Sequence, residues 1–305
     1  MVSVACIGEC MIELSGTGND SWKLSFAGDT FNTLWAMRAL LDPTAGTDYV
    51  TAFGDDPFSA QQIAFMEDNG IGIASSPILQ GARPGLYAIT LTGAERSFTY
   101  WRSDAAARQL ASDPIALSKS LQKQSLIYFS GITLAILDVS ARKILLDAIA
   151  AARLAGSRIA FDPNYRPRLW PDALAAQSAI ADALRLTDIA LPTFPDEQAL
   201  YGDATPQDTT QRLAEADIPE IVVKNGEQPC LVVHYGNTET VPAISVQAVD
   251  TTGAGDSFNG GYLAARLHGY DPVDAARRAH SVAAHVVQVR GALAPFETLQ
   301  KAFAI

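Results

Sequence analysis

DTTGAGDSFNGGYLAARL, residues 250–267, sets two glycines and an aspartate directly ahead of a long amphipathic pattern. Apolar Phe258, Tyr262, Leu263 and Leu267 recur at the spacing of one helix face, so a helix is expected from Ser257 to His268. Gly253, Ala254, Gly255 and Asp256 then lie at or just before its N-terminus. Amide N–H groups without helical acceptors point outward there, and the dipole end is positive. Glycines let the backbone approach an anion closely. Val246–Val249 is expected to end a strand. The segment then becomes a strand-to-helix turn suited to a phosphate, or to charge developing on a phosphoryl group in flight. Asp256 admits two readings. It is a helix N-cap, as Asp often is, or it is the base beside a hydroxyl that must lose its proton, the usual addition to positioning and charge stabilisation in phosphoryl transfer. No Gly-x-x-x-x-Gly-Lys-Ser/Thr run occurs, so the segment is not a P-loop.

Working outward, short apolar runs alternate with longer amphipathic ones. VSVACI (2–7), DYVTAF (48–53), LIYFS (126–130), RIAFD (158–162), DIALP (188–192) and EIVVK (220–224) read as buried strands. TLWAMRALL (33–41), SAQQIAFMEDNG (59–70), ARKILLDAIAAARLAG (141–156) and a segment within 172–186 read as helices. Repetition of strand and helix predicts an α/β fold with a mostly parallel sheet covered on both faces. Two stretches break the rhythm: MIELSGTGNDSWKLSFAG (11–28) and GLYAITLTGAERSFTYWR (85–102). In the second, LYAITLT and RSFTYW flank a Gly93-Ala94-Glu95 hairpin loop. Together they are expected to form a small antiparallel sheet outside the main one. Its open face then meets a substrate or a second subunit, or the hairpin is only a surface feature.

Composition narrows the function class. The 305 residues are 48% apolar and 18% charged, an ordinary globular balance with enough length for a sizeable core. The net charge of −11 argues against a nucleic-acid surface but leaves a nucleotide substrate open. Cys6, Cys10 and Cys230 form no Cys-x-x-Cys pair and have no zinc-site partners, so reduced thiols in a cytoplasmic protein are expected. The N-terminal run is too acidic and its apolar part too short for a signal peptide, and no run reaches the length of a membrane span. His234, His268, His280 and His285 lie near no Ser or Cys nucleophile motif and read as structural.

DTTGAGDSF, together with GECMIELS and AGDTFNTL near the N-terminus, resembles the signature of the PfkB (ribokinase-like) carbohydrate kinases. Within that family, GECMIELS, AGDTFN, RPGLYAI, FTYWR, SGITLAIL, DPNYRPRLW and DTTGAGDSF resemble, in the same order, the kinases of 2-keto-3-deoxygluconate. The similarity covers nearly the whole chain. It implies one Rossmann-like, ribokinase-like domain over residues 1–305, with a β-sheet lid inserted from about 11–28 and 84–103. It also implies ATP and Mg²⁺, a sugar-acid substrate and a dimer formed through the lids.

The resemblance assigns roles residue by residue. Asp256 would be the catalytic base, and Gly253, Ala254 and Gly255 would donate anion-hole amides. Gly28, Asp29 and Asn32 match the sugar-holding motif; a plain helix start at Asp29 or Thr30 accounts for the same residues and is compatible with it. Tyr87, Tyr100, Arg102 and Arg166 would surround a keto-deoxy sugar acid. A guanidinium grips a carboxylate through two parallel hydrogen bonds, whereas a neutral sugar gives an arginine little to pair with. A surface charge at Arg102 and a phosphate contact at Arg166 stay open, and Arg168 ranks lower. Asn164, Lys224, Gly226, Gly253 and Gly255 would line the nucleotide side, and residues from His280 to Ala292 the adenine. Many family members carry Asn-x-x-Glu near a Mg²⁺–phosphate network; Thr193 and Asp196 stand there in this chain, leaving Asp196 as a weak metal candidate.

Overall fold

A computed structural model describes residues 2–18, 21–92 and 95–305. In chain order, the first half contains β1 (Ser3–Ile7), β2 (Met11–Gly18), β3 (Ser21–Ala27), α1 (Asp29–Leu40), β4 (Gly46–Val50), β5 (Phe53–Gly54), α2 (Pro57–Asp68), β6 (Ile78–Leu79), β7 (Leu86–Thr92), β8 (Glu95–Trp101), α3 (Pro114–Leu121), β9 (Leu126–Ser130) and α4 (Gly131–Ile136). The second half contains α5 (Val139–Leu154), β10 (Arg158–Asp162), α6 (Ala173–Leu184), β11 (Ile189–Ala190), α7 (Phe194–Tyr201), α8 (Pro206–Ala214), β12 (Glu220–Asn225), β13 (Gln228–His234), β14 (Asn237–Val241), α9 (Ala254–Leu267), α10 (Pro272–Val286) and α11 (Phe296–Phe303). Several helix starts are written in the sequence as Asp-Pro: Asp56, Asp113 and Asp271 each cap their own helix with a proline following.

The main sheet runs β14-β13-β12-β11-β10-β9-β1-β4. From β12 to β4 every pairing is parallel. Alternation along β1 shows why both faces are covered: Val4 and Cys6 enter one core with α1, α9 and α10, while Ala5 and Ile7 enter another with α3, α5 and α6. LIYFS of β9 is buried at every position, as a strand covered on both faces must be.

The small sheet runs β3-β2-β7-β8. Each hairpin is antiparallel, but the central β2–β7 pair is parallel, which corrects the expectation of an all-antiparallel sheet. The reason is topological. Both β2 and β7 set out from the main body, so they run the same way when they meet. Of the expected Gly93-Ala94-Glu95 loop, Gly93 and Ala94 lie outside the described residues, and Glu95 begins β8. One further expectation fails. Val246–Val249 forms no strand; the chain there is irregular, and the Val249 and Asp250 amides bond the Val287 carbonyl at 2.7 and 3.0 Å. β13 and β14 extend the sheet antiparallel beyond the strands read from sequence.

Candidate active site

The carboxyl ends of β9, β10 and β12 meet the N-terminal parts of α1 and α9 through Ser130, Asp162 and Lys224, at the edge where open parallel sheets hold ligands. Gly253 caps that helix in the left-handed region at φ 74°, a conformation glycine adopts without penalty. Among the described residues, the amides of Gly253, Gly255 and Asp256 take no protein acceptor. Ala254, expected as an anion-hole donor, instead turns its amide to the Thr251 carbonyl at 3.3 Å. Asp256 does not cap the helix: Gly253 is the N-cap, and no side-chain bond closes it. The carboxylate is therefore spared from a structural task.

Asp256 sits in the first turn of α9, and its Oδ2 accepts from Asn32 Nδ2 at 2.8 Å. Burial, reinforced by the charge of Asp29, pushes its pKa up to about 7, against the pull of the Asn32 bond and of Lys224. Asp29, in the first turn of α1, is also raised by burial. Ser130 Oγ at 2.5 Å and Asn164 Nδ2 at 2.9 Å share its Oδ2 and oppose that rise. Thr33 ties the two helix starts together, sharing its hydroxyl between the carbonyls of Asp29 and Asp256, each at 3.1 Å. Gly28 leads into α1 in extended backbone; a Cβ there would run into the Glu9 carbonyl oxygen, so the close approach requires glycine.

Beneath the α9 turn lies a buried polar network that local sequence reading misses. Lys224 Nζ donates to Asp162 Oδ2 at 2.6 Å and to Asn259 Oδ1 at 2.9 Å. Asn259 Nδ2 closes the ring on Asp162 at 2.8 Å and also donates to the Tyr128 hydroxyl at 3.0 Å. Asp162, Lys224 and Asn259 are all buried. Asp162 also accepts the Asn164 amide, which holds Asn164 at φ 36°. The signal available for Asp162 was a carboxylate at a strand's carboxyl end, in the same DPN run that yielded Asn164. Lys224 and Asn164 thus sit at the site. Gly226 occupies the exposed β12–β13 turn, at the carboxyl end of the strand that carries Lys224.

In the small sheet, Tyr87 and Tyr100 pair across β7 and β8 with ring centroids 5.7 Å apart. Tyr87 is buried with Met11, Ala27, Ile89 and Ala292, which puts this face of the small sheet toward the Gly253 turn, whose neighbour is Ala292. Its hydroxyl donates to Glu13, while Tyr100 is half exposed. Arg102 follows β8 directly and is mostly buried; its guanidinium donates to Glu9. Arg166 is gripped at its Nη1 by both Asp196 oxygens, each at 2.9 Å. Arg168 lies in a short turn of 3₁₀ helix and is exposed.

Among the described residues, no group of three His, Cys, Asp or Glu side chains is placed to hold a metal ion. Asp196 lies close enough to Asp162 and Lys224 for both charges to act on it. That arrangement fits a Mg²⁺ carried mainly by phosphates and waters, which needs one or two protein oxygens. Thr193 pairs with Lys224 in an isolated bridge. Glu197, next to Asp196, is committed to Arg212 at 2.7 Å. His280, in α10, is buried edge-on to Phe258, its pKa lowered to about 4 by burial.

The chain is similar over nearly its whole length to known proteins. A 2-dehydro-3-deoxygluconokinase of Dickeya dadantii (strain 3937) is 43% identical over 305 residues, covering 97% of this chain and 98% of its own. That of Escherichia coli (strain K12) is 42% identical over 304 residues, covering 97% and 98%. The solved 2-dehydro-3-deoxygluconokinase of Thermotoga maritima shares the fold, with a TM-score of 0.85 at 20% identity over 99% of this chain and 98% of that one. Residues 1–299 match the model of the pfkB family carbohydrate kinases, and with Asp256 set in the first turn behind the glycine-capped start of α9, the chain belongs to that family.

Proposed function

We propose that this chain transfers the γ-phosphoryl group of ATP to the terminal hydroxyl of 2-keto-3-deoxygluconate (2-dehydro-3-deoxygluconate), giving 2-keto-3-deoxy-6-phosphogluconate. The observation that carries the reading is the pairing of one carboxylate, Asp256, with unspent amides at the start of α9. The similarity, over nearly the full length, to the two 2-dehydro-3-deoxygluconokinases supports the substrate.

Asn32 holds Asp256 Oδ2, which leaves Oδ1 to take the hydroxyl proton. The substrate oxygen attacks the γ-phosphorus in line as the bond to the β-phosphate oxygen breaks, and ADP leaves. The amides of Gly253, Gly255 and Asp256 stabilise the charge on the group in flight, and Ala254 holds the turn. Lys224, Asn164 and Gly226 belong to the nucleotide side in this reading, and Lys224 adds its charge from the network with Asp162 and Asn259. Gly28, Asp29 and Asn32 hold substrate hydroxyls, Tyr87 and Tyr100 shield the chain of the sugar, and Arg102 and Arg166 read its carboxylate. Mg²⁺, carried by ATP, supplies charge neutralisation, with Asp196 as the residue that would hold its bound water. The small sheet acts as a lid that excludes water able to hydrolyse ATP.

An ADP-release assay with Mg-ATP should show strong turnover with 2-keto-3-deoxygluconate or its galactonate epimer. It should show little with fructose, ribose or adenosine. Turnover of a neutral sugar alone would leave a kinase but remove the carboxylate reading; silence across the panel would point to a protein that binds sugar without catalysis.

The outer face of the lid supports a homodimer. Trp22, Leu24 and Trp101 stand 47%, 38% and 57% exposed, beside a cleft of about 550 Å³ lined by Leu14, Leu86 and Ala88. Apolar surface of this kind on a β-sheet is covered by a partner more often than left in water. Light scattering at micromolar concentration should give twice the 32.4 kDa chain mass, and Trp101→Glu should return the monomer. A monomeric parent protein would end the proposal. Three buried free cysteines suit a reducing cytoplasm, and no helix among the described residues is long and apolar enough to cross a membrane.

A further inference from the structure

Four stretches of chain connect the small sheet to the main body, and all four meet at Glu9. Glu9 and Cys10 lead from β1 into β2. Gly28 leaves β3 with its Cα against the Glu9 carbonyl. Gly85 precedes β7, and a Cβ there would strike Glu9 Oε1 and press on the Arg102 Cβ. Arg102 follows β8 and donates to Glu9 Oε2.

The pair is unusual in its isolation. Glu9 is 1% exposed, its Oε1 has no partner, and Arg102 Nε is likewise buried without one. Among the described residues, Glu9 is the one acceptor of the Arg102 guanidinium. A structural ion pair at this burial would ordinarily have its remaining lone pairs and protons satisfied, since a half-satisfied buried pair gains little stability. The charges also reach the sugar side: that of Arg102 acts on Asp29, and that of Asp29 on Glu9.

We propose that Glu9 is a positioning residue for substrate recognition: it fixes the Arg102 guanidinium at the crossing between lid and body, so that its remaining donors meet the substrate carboxylate. The inference rests on the proposed sugar-acid substrate. The two carboxylates would occupy different edges of one guanidinium, with the positive charge between them. Pre-orientation is what makes a forked donor effective, because the rotamer freedom of a long side chain is lost before the ligand arrives.

The test is a double-mutant cycle in the full-length protein with Glu9→Gln, Arg102→Ala and both together, read by calorimetric binding and steady-state kinetics. The ligands are 2-keto-3-deoxygluconate and its neutral analogue 3-deoxyfructose, in which CH₂OH replaces the carboxylate. Glu9→Gln should weaken sugar-acid binding about tenfold, the size expected for loss of one well-placed charged hydrogen bond. Binding of the neutral analogue and of Mg-ATP should change less than about twofold, since neither uses the guanidinium fork. In the Arg102→Ala background the second change should have no further effect on sugar-acid binding, because Glu9 acts only through Arg102. Equal losses for acid and neutral ligand, tighter acid binding in Glu9→Gln, or additive losses in the double variant would each overturn the proposal. Should Glu9→Gln fail to fold, the comparison of Arg102→Ala with the double variant still decides it. A parent protein that neither binds nor phosphorylates the sugar acid would instead overturn the proposed function.

Discussion

Asp256→Asn is expected to lower kcat by about 10²–10⁴ while sugar-acid binding survives, the range for loss of a positioned general base. The substitution keeps shape and an oxygen for Asn32 Nδ2 to donate to, so the site is not rebuilt. In the parent, burial and Asp29 hold the Asp256 pKa near 7, so the base is protonated below that value. The kcat/KM profile should therefore fall on the acid side of about pH 7, and the residual activity of Asp256→Asn should lose that limb. Stability should move the other way. A carboxyl whose folded pKa is raised contributes stability below its unfolded pKa, and that contribution is lost as pH rises through the folded value. The loss for Asp256 falls between its ordinary value of 3.8 and about 7. Asp256→Asn should thus melt about 3 °C higher than the parent at pH 8, with the gap closed at pH 4. Near-full turnover by the variant would remove Asp256 from the mechanism.

What the sequence made legible follows from what each element has to satisfy. LIYF and IAF, the centres of β9 and β10, are continuous apolar runs because both sides of the parallel sheet are covered, and they read as strands. β14 has exposed polar residues along Asn237–Thr240, and its place in the sheet is decided by pairing with β13 rather than by its own pattern. Val246–Val249 carries strand-like residues, yet Val249 is 55% exposed; the chain there follows the α10 end instead of a neighbouring strand. The same division runs through the site. Asp256 was legible because glycines and a helix pattern surround it. Glu9 was visible inside GECMIELS, but its partner stands 93 residues away, and its isolation in a buried pair is a tertiary fact. Asn259 lies on the inner face of α9, where polar residues in a helix give no sign of what they meet.

Arg102→Ala should cut kcat/KM for the sugar acid by about 10²–10³, because a charge-assisted fork is lost in a mostly buried setting. The neutral 3-deoxyfructose should lose less than about threefold, since it offers the guanidinium no carboxylate. Taken alone, that comparison leaves one ambiguity: Arg102 also neutralises Glu9, and removing it strands a buried carboxylate. Burial already raises the Glu9 pKa against the pull of Arg102, so without Arg102 it rises further. The variant should then be clearly less stable than the parent at pH 8 and should recover as the pH falls and Glu9 takes up a proton. Adding Glu9→Gln to Arg102→Ala removes the stranded charge. Melting temperature at pH 8 should return most of the way to the parent value while sugar-acid turnover stays low. Restored turnover in the double variant would mean that the stranded charge, and not the missing guanidinium, had disabled the enzyme. Stability restored with activity still absent for the acid, and present for the neutral sugar, separates the reading of the carboxylate from the folding of the crossing that carries it.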